Sequence, residues 1–447
     1  MALRSFKGGV HPYEGKELSK DKPVVRLEPS SELVFPLSQH IGAPAKAVVN
    51  VGDTVLRGQV LAEANGFVSA PVISSVSGTV KAIEKRRSCT GSMVESIVIS
   101  NDNMDSCVSF NEISFEEALK LDRETIIKKI SDAGIVGMGG AGFPTHVKLS
   151  PKDPDKIEYI IVNCAECEPY LTSDYRTMLE KTDKLYLGLK LLVSLFKNAK
   201  GVFAIEDNKR DCISLLSEKC VDDNISVCPL LTKYPQGGER QLIHAVTGRD
   251  INSKMLPADA GCIVDNVSTV CAIYDAVVLG KPLMDRFFTV SGDNVVNPQN
   301  YEIRIGMSFR DILEASGGEI DKAQKWISGG PMMGFSMFDL DVPTTKTTGA
   351  FLSFKEDEAS IYDATACINC GRCVNACPEN LVPSRLSKFF ENKVKDEFEK
   401  WYGLECIECG SCTYVCPAKR PLAQEIKTFK HQILAEKKKQ KEIGRGN

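Results

Sequence analysis

Gly134-Ile135-Val136-Gly137-Met138-Gly139-Gly140-Ala141-Gly142-Phe143-Pro144-Thr145, with Lys148 three residues beyond, is the stretch on which the fold turns. Residues 137–142 satisfy G-x-G-x-x-G, whose missing side chains let backbone N–H groups approach a phosphate or a flat ring. A standard dinucleotide fold places a strand before such a loop, yet Glu124-Thr125-Ile126-Ile127-Lys128-Lys129-Ile130 reads as helix. On its own the hexamer is equally a flexible glycine turn. Around it, from about 106 to 285, helical patterns alternate with apolar runs such as Tyr159-Ile160-Ile161-Val162 and Gly201-Val202-Phe203-Ala204-Ile205, which predicts an α/β domain.

The longer string resembles the flavin-binding loop of the NADH-oxidising subunit of respiratory complex I. After it comes Tyr159-Ile160-Ile161-Val162-Asn163-Cys164-Ala165-Glu166-Cys167-Glu168-Pro169, similar to that family's strand ending in Asn-Ala-Asp-Glu-x-Glu-Pro. Gln236-Gly237-Gly238-Glu239 resembles its loop with a nucleotide-facing glutamate, and Asp265-Asn266-Val267-Ser268-Thr269 its Asn-Asn-Val-x-Thr flavin segment. The resemblance implies an FMN and NAD(H) site formed by Gly137, Gly139, Gly140, Gly142, Lys148, Asn163, Glu166, Glu168, Glu239, Asn266 and Thr269. In it Lys148 reaches the FMN phosphate, and the three glutamates position rather than donate protons. Phe143 is a candidate to stack on an adenine and equally a core aromatic. Three positions depart from that family: Met138 for an arginine, Ala165 for the aspartate and Arg240 for a second glutamate. Arg240 becomes a candidate for the nucleotide phosphates.

Further on, Cys367-x2-Cys370-x2-Cys373-x3-Cys377-Pro378 and Cys406-x2-Cys409-x2-Cys412-x3-Cys416-Pro417 repeat one spacing. Three thiolates two residues apart wrap one iron–sulfur cube, and the fourth, before proline, completes the other. This predicts two [4Fe-4S] clusters, one on Cys367, Cys370, Cys373 and Cys416, the other on Cys406, Cys409, Cys412 and Cys377. A pair of zinc sites would need only two C-x2-C pairs. The intervening residues carry a helical pattern around Leu386-Ser387-Lys388-Phe389-Phe390.

The chain reads as a multidomain α/β protein. Residues 1–30 form an extended arm broken by Gly8-Gly9, Pro12, Pro23 and Pro29. Residues 31–105 show short strands, and Val51-Gly52-Asp53-Thr54-Val55 with Gly58-Gln59-Val60-Leu61-Ala62 and Ser77-Gly78-Thr79-Val80 resembles the barrel-sandwich hybrid of biotinyl and lipoyl domains. No lysine lies between Arg57 and Lys81, where the modified tip would fall, so an unmodified module is expected. Residues 286–355, with a helix near Phe309-Arg310-Asp311-Ile312-Leu313 and a tight loop Gly329-Gly330-Pro331-Met332-Met333-Gly334, resemble the β-grasp (SLBB) module that follows the flavin domain in NADH dehydrogenases. Residues 356–447 are the helical dicluster region with a basic tail, Lys437-Lys438-Lys439-Gln440-Lys441.

The first nine residues hold no apolar run behind a basic start, and no stretch approaches the ~18 apolar residues of a membrane span. A protein neither exported nor membrane-spanning is expected. A formal charge of −4 and a pI near 5.9 argue against nucleic acid as a partner. Seventeen cysteines without a disulfide framework fit a reducing cytoplasm. Cys164 and Cys167 stand among carboxylates that raise thiol pKa, and Cys89, Cys107, Cys212, Cys220, Cys228, Cys262 and Cys271 read as buried small residues. Of the dispersed histidines only His146 borders the glycine loop.

Taken together with Phe6-Lys7-Gly8-Gly9-Val10-His11-Pro12, these segments resemble the RnfC family of the Rnf complex, the bacterial ferredoxin:NAD+ oxidoreductase. The resemblance spans nearly the whole chain. It implies a peripheral subunit on the cytoplasmic face of the membrane, docked on other Rnf membrane and ferredoxin-like subunits that move Na+ or H+. It also implies reversible hydride transfer between NAD(H) and FMN, with the two clusters as a relay. A cobalamin reductase and a non-enzymatic iron–sulfur carrier are the alternative readings.

Overall fold

The computed structural model describes residues 3–357 and 359–445. Met1 and Ala2 of the quoted start lie outside the described residues, as does the side chain of Lys441 in the basic tail.

The strand Tyr159–Cys164 is apolar along its whole length because both its faces are covered, as in parallel sheets. Ile160, Val162 and Cys164 enter one apolar core with the helices Thr182–Ser194 and Val267–Val277, while Ile161 enters a second with Leu242 and Ile243 of the helix Glu239–Thr247. The sheet is all parallel, in the order Ile225–Leu230, Lys200–Glu206, Tyr159–Cys164, Cys262–Asn266. Its carboxyl edge therefore gathers four strand ends and the loops that follow them, where ligands of open α/β sheets bind.

The barrel-sandwich consists of an antiparallel four-stranded sheet (Glu32–Pro36, Met93–Asn101, Gly78–Arg87, Thr54–Val55) and a three-stranded one (Lys46–Ala47, Val60–Glu63, Val72–Ile73). Its core is continuous with that of the β-grasp module: Leu33, Phe35, Leu61 and Ile97 join Phe288, Phe309 and Phe351 in one buried cluster. Two modules far apart in sequence thus share a single interior. The β-grasp sheet runs Gln299–Arg304, Asp285–Ser291, Ala350–Phe354, Lys325–Ser328, Phe335–Met337, and the expected helix spans Phe309–Ala315.

In the dicluster region the helix Pro383–Glu391 lies against Leu422–Arg445, with Phe398 packed edge-on to Phe429 at 5.0 Å between centroids. The duplication of the arrays is written into the backbone. Asn369, Gly371 and Asn380 have positive φ, and so do Glu408, Gly410 and Lys419, two, four and thirteen residues after the first cysteine of each array. Each left-handed residue turns successive N–H groups toward the thiols, the concave geometry that suits an anionic cluster.

The arm is a strap, not a free extension. Arg4 bridges to Leu230 on the flavin sheet, Val10 bridges to Tyr234, Gly9 N donates to Ala376 O (3.0 Å), and Val25–Arg26 adds a parallel strand to the β-grasp sheet beside Tyr301. Among the described residues no helix is long and apolar enough to cross a membrane.

Candidate flavin and iron–sulfur site

The glycine loop follows the helix Arg123–Asp132, capped by Asp122. Val136 bridges back to Pro144 and Gly137 N donates to Phe143 O (2.9 Å), so residues 137–143 close into a short lobe. Gly139 and Gly140 form its exposed lip, while Gly142 takes φ +72° against Gln39 and His40 of the barrel-sandwich. A Cβ on Gly140 would meet nothing, whereas one on Gly139 would stand 2.8 Å from the Asn266 Cβ. Phe143 is half-buried beside the lip.

Beneath the lip, Met138 N donates to Thr269 Oγ1 (3.0 Å) and Asn266 Nδ2 to Asp174 Oδ2 (2.6 Å). Lys148 Nζ lies 2.9 Å from Val264 O and 3.2 Å from Asp265 Oδ1. The Asp265 side chain is fully buried and its Oδ2 has no partner, an orphaned acceptor on the floor of the site. Burial raises the Asp265 carboxyl, with Lys148 opposing the shift. Where the related family carries arginine, Met138 is buried; a guanidinium nevertheless reaches this loop, since Arg286 NH1 donates to Met138 O (3.3 Å).

The turn after the strand Tyr159–Cys164 is held from outside by two buried lysines. Lys16 Nζ, from the arm, donates to the carbonyls of Glu166 (2.8 Å), Glu168 (3.1 Å) and Leu171 (2.7 Å). Lys209 Nζ donates to Ala165 O at 2.6 Å. Neither emerges from sequence reasoning, because an isolated lysine in an arm carries no signal of such a role. The carboxylates of the turn are engaged too. Glu166 accepts from Asp174 N (2.6 Å) and Tyr175 N (3.2 Å) at the start of the helix Ser173–Glu180, and Glu168 accepts from Met332 N (3.0 Å) and Met333 N (2.9 Å) of the glycine-rich β-grasp loop. Burial pushes the Glu168 carboxyl up to about 7 and that of Asp174, beside Glu166, to about 6. Asn163 Nδ2 donates to Gly237 O (2.8 Å), and Gly237 N to Cys167 Sγ (3.2 Å). Glu239 is exposed at the rim, at the start of its helix.

Three expectations are corrected here. Arg240 is not a free cation: its NH1 meets Glu379 Oε2 (2.7 Å) and Glu405 Oε2 (3.1 Å) of the dicluster region. His146 gives its Nε2 to Phe67 O (3.0 Å), at the barrel-sandwich tip where a lipoyl lysine would stand. Cys107 is exposed rather than buried, in an isolated bridge with Arg57. Burial raises the thiols of Cys164 and Cys167, as their surroundings led one to expect.

The thiols of the arrays divide between two places. Cys377, Cys406, Cys409 and Cys412 line one cavity with Leu381 and Ile426. Cys373 and Cys416 lie together beside Leu422, and Thr365 N donates to Ala418 O (2.9 Å), tying the start of the first array to the end of the second. Burial raises the thiols of Cys377 and Cys406, to about 11 and about 12. Iron displaces such protons on binding, and Leu381 N and Glu408 N already stand 3.4 Å from Sγ of Cys377 and Cys406. Four soft donors around one cavity fit a cubane cluster; among the described residues no three ligating groups converge as a single ion needs. The open glycine lip, the partly exposed Lys148 and the orphaned Asp265 oxygen likewise fit a flat ring carrying a phosphate.

Fold and site together define an electron-transfer protein built on a flavin domain and an iron–sulfur relay. Residues 130–275 match the Nuo51 FMN-binding domain, 4–104 the RnfC barrel sandwich hybrid domain, 287–336 the SLBB domain and 352–420 the 4Fe-4S dicluster domain. The RnfC-type component of the Na(+)-translocating ferredoxin:NAD(+) oxidoreductase complex of Acetobacterium woodii is 42% identical over 97% of this chain and 98% of its own. Its counterpart in the proton-translocating complex of Clostridium ljungdahlii is 42% identical over 90% and 88%. A solved NAD+-reducing [NiFe]-hydrogenase aligns over 72% of this chain and 62% of its own, with TM-score 0.49 and 19% identity. The chain belongs to the RnfC family of ion-translocating oxidoreductase complexes.

Proposed function

We propose that this chain is the NAD(H)- and FMN-binding subunit of an ion-translocating ferredoxin:NAD+ oxidoreductase, peripheral on the cytoplasmic face of the membrane through its partner subunits. It passes electrons between two [4Fe-4S] clusters and NAD+. The observation that carries this reading is the meeting of the glycine lobe, the acidic turn and the Cys409 loop within one set of direct contacts at the carboxyl edge of the sheet. FMN, when bound, supplies the exchange between a hydride and single electrons.

The chain's own residues supply position. The lip at Gly137, Gly139, Gly140 and Gly142 admits a ring against bare backbone, with Phe143 at its side. Lys148 and Asp265 present a cation and a free acceptor at the floor, while Asn266 and Thr269 hold the lobe in register. Asn163, Glu166 and Glu168 fix the acidic turn, and Glu239 stands at the mouth for the nicotinamide nucleotide. No acid or base is required, because hydride transfer depends on alignment of the two rings. Cys367, Cys370, Cys373 and Cys416 hold one cluster and Cys406, Cys409, Cys412 and Cys377 the other, a crossed arrangement supported by the cavity shared by the last four.

Anaerobic purification with iron and flavin analysis tests the reading. About eight irons and one releasable FMN per chain are expected. Iron without flavin after reconstitution would refute it in favour of a bare iron–sulfur carrier.

A further inference from the structure

The two arrays share a spacing but not a setting. Tyr234 is fully buried, and its hydroxyl donates to the Cys409 carbonyl at 2.7 Å while lying beside the Glu168 carboxylate. Cys409 shares an apolar cluster with Tyr234, Cys167 and Met332. From Tyr234 the chain runs directly to Gly237, whose carbonyl accepts from Asn163 and whose N–H meets Cys167. A Cβ on Gly410 would stand 3.1 Å from the Met332 carbonyl, in the same loop that Glu168 holds. Glu405, next to Cys406, is tied to Arg240 and to Ser253. Every one of these contacts falls on the second array.

The first array presents the opposite face. Cys370 is exposed, Ile368 is 66% exposed, and a Cβ on Gly371 would meet nothing. Ile361 and Tyr362, just before it, are also exposed.

Resting on the ligand assignment and flavin site proposed above, we infer that the two clusters have a fixed order. The cluster of Cys377, Cys406, Cys409 and Cys412 faces the flavin site through Tyr234, which positions its loop. The cluster of Cys367, Cys370, Cys373 and Cys416 is terminal and exchanges electrons with an outside redox protein. Hydrogen-bonded and covalent contacts carry electronic coupling where a solvent gap does not, and only the second array has them. One electron moves per step, lowering the receiving cluster from its 2+ to its 1+ state as the donor loses one. Two such steps match the pair released when NADH becomes NAD+ and a proton.

Tyr234→Phe in the full, reconstituted chain tests the order, read by EPR of the reduced clusters. The signal that Cys406→Ser removes should change its g values and midpoint potential in Tyr234→Phe, and the signal that Cys370→Ser removes should stay as it was. A soluble lanthanide chelate should relax the Cys370-dependent signal several-fold more strongly than the other. That second measurement needs no cysteine variant, since the signal moved by Tyr234→Phe must be the one the chelate reaches less. Movement of the chelate-sensitive signal, or of neither, overturns the inference. Eight irons without FMN would remove the proposed function and leave the order to these same signals. FMN present with the wrong signal moved would remove the order alone.

Discussion

Replacing Arg240 by alanine separates two roles with different readouts. In the structure Arg240 joins the flavin domain to the dicluster region through contacts of 2.7 Å to Glu379 and 3.1 Å to Glu405, with all three side chains at least three-quarters buried. Hydrogen bonds between charged groups contribute about 1.5–3 kcal/mol each. The loss is less than double that, because Glu379 keeps Gln241 Nε2 (2.6 Å) and Glu405 keeps Ser253 N and Oγ. A net cost of about 2–3 kcal/mol weakens docking roughly 30–150-fold. At urea slopes of ~1–3 kcal/mol per molar, the midpoint for loss of cluster absorbance should fall by roughly 1 M. Arg240→Ala and Glu379→Gln should also couple by about 1 kcal/mol or more in a double-mutant cycle. An unmoved midpoint with a raised KM for NADH would return Arg240 to the nucleotide and refute the docking argument.

Gly139→Val drives a Cβ to 2.8 Å from that of Asn266, so FMN retention should fall at least about tenfold while about eight irons remain; full flavin occupancy would count against the lip. Cys377→Ser should abolish the EPR signal that Cys406→Ser also abolishes, and loss of the other signal instead would undo the crossed ligation. Lys346 is a buried cation held by Pro71 O (2.5 Å) and Gly134 O (2.7 Å), and burial takes its pKa from 10.5 down to about 7. Below that value folded and unfolded chains both hold the proton and the full cost of burying the charge is felt. Above it only the unfolded chain holds the proton, so stability rises with pH toward 10.5. The advantage of Lys346→Met over the parent chain should therefore shrink by about 3 kcal/mol from about pH 6 to 9 in urea titrations, and a difference flat with pH would contradict it.

Local patterns in the sequence translated well. The glycine string, the strand ending in carboxylates and the duplicated cysteine spacing each depend on neighbours in sequence, and each forms a local structure. The alternation of Ile160, Ile161 and Val162 between two cores follows from the pleat of a strand covered on both faces. What stayed illegible was who stands opposite whom. Arg240 read as a phosphate ligand because Glu379 and Glu405 lie 139 and 165 residues further on. Lys16 and Lys209 gave no sign of gripping the acidic turn, since their partners are backbone carbonyls, which any sequence offers. The common interior of the barrel-sandwich and β-grasp modules was hidden for the same reason: each module shows its apolar pattern, but not which module covers it.

The strap formed by the arm has a consequence for biosynthesis. Its seats are made in sequence: the turn at residues 166–171 for Lys16, then Leu230 for Arg4, then Tyr301 for Val25, and last Ala376 for Gly9. At ribosomal rates of ~5–20 residues per second, the segment that emerges first waits roughly 20–70 s for its final seat. That seat leaves no slack, because a Cβ on Gly8 would come within 2.8 Å of the Cys377 carbonyl oxygen. The nascent end is thus fastened stepwise, and its last fastening requires the Cys377 turn to be in place.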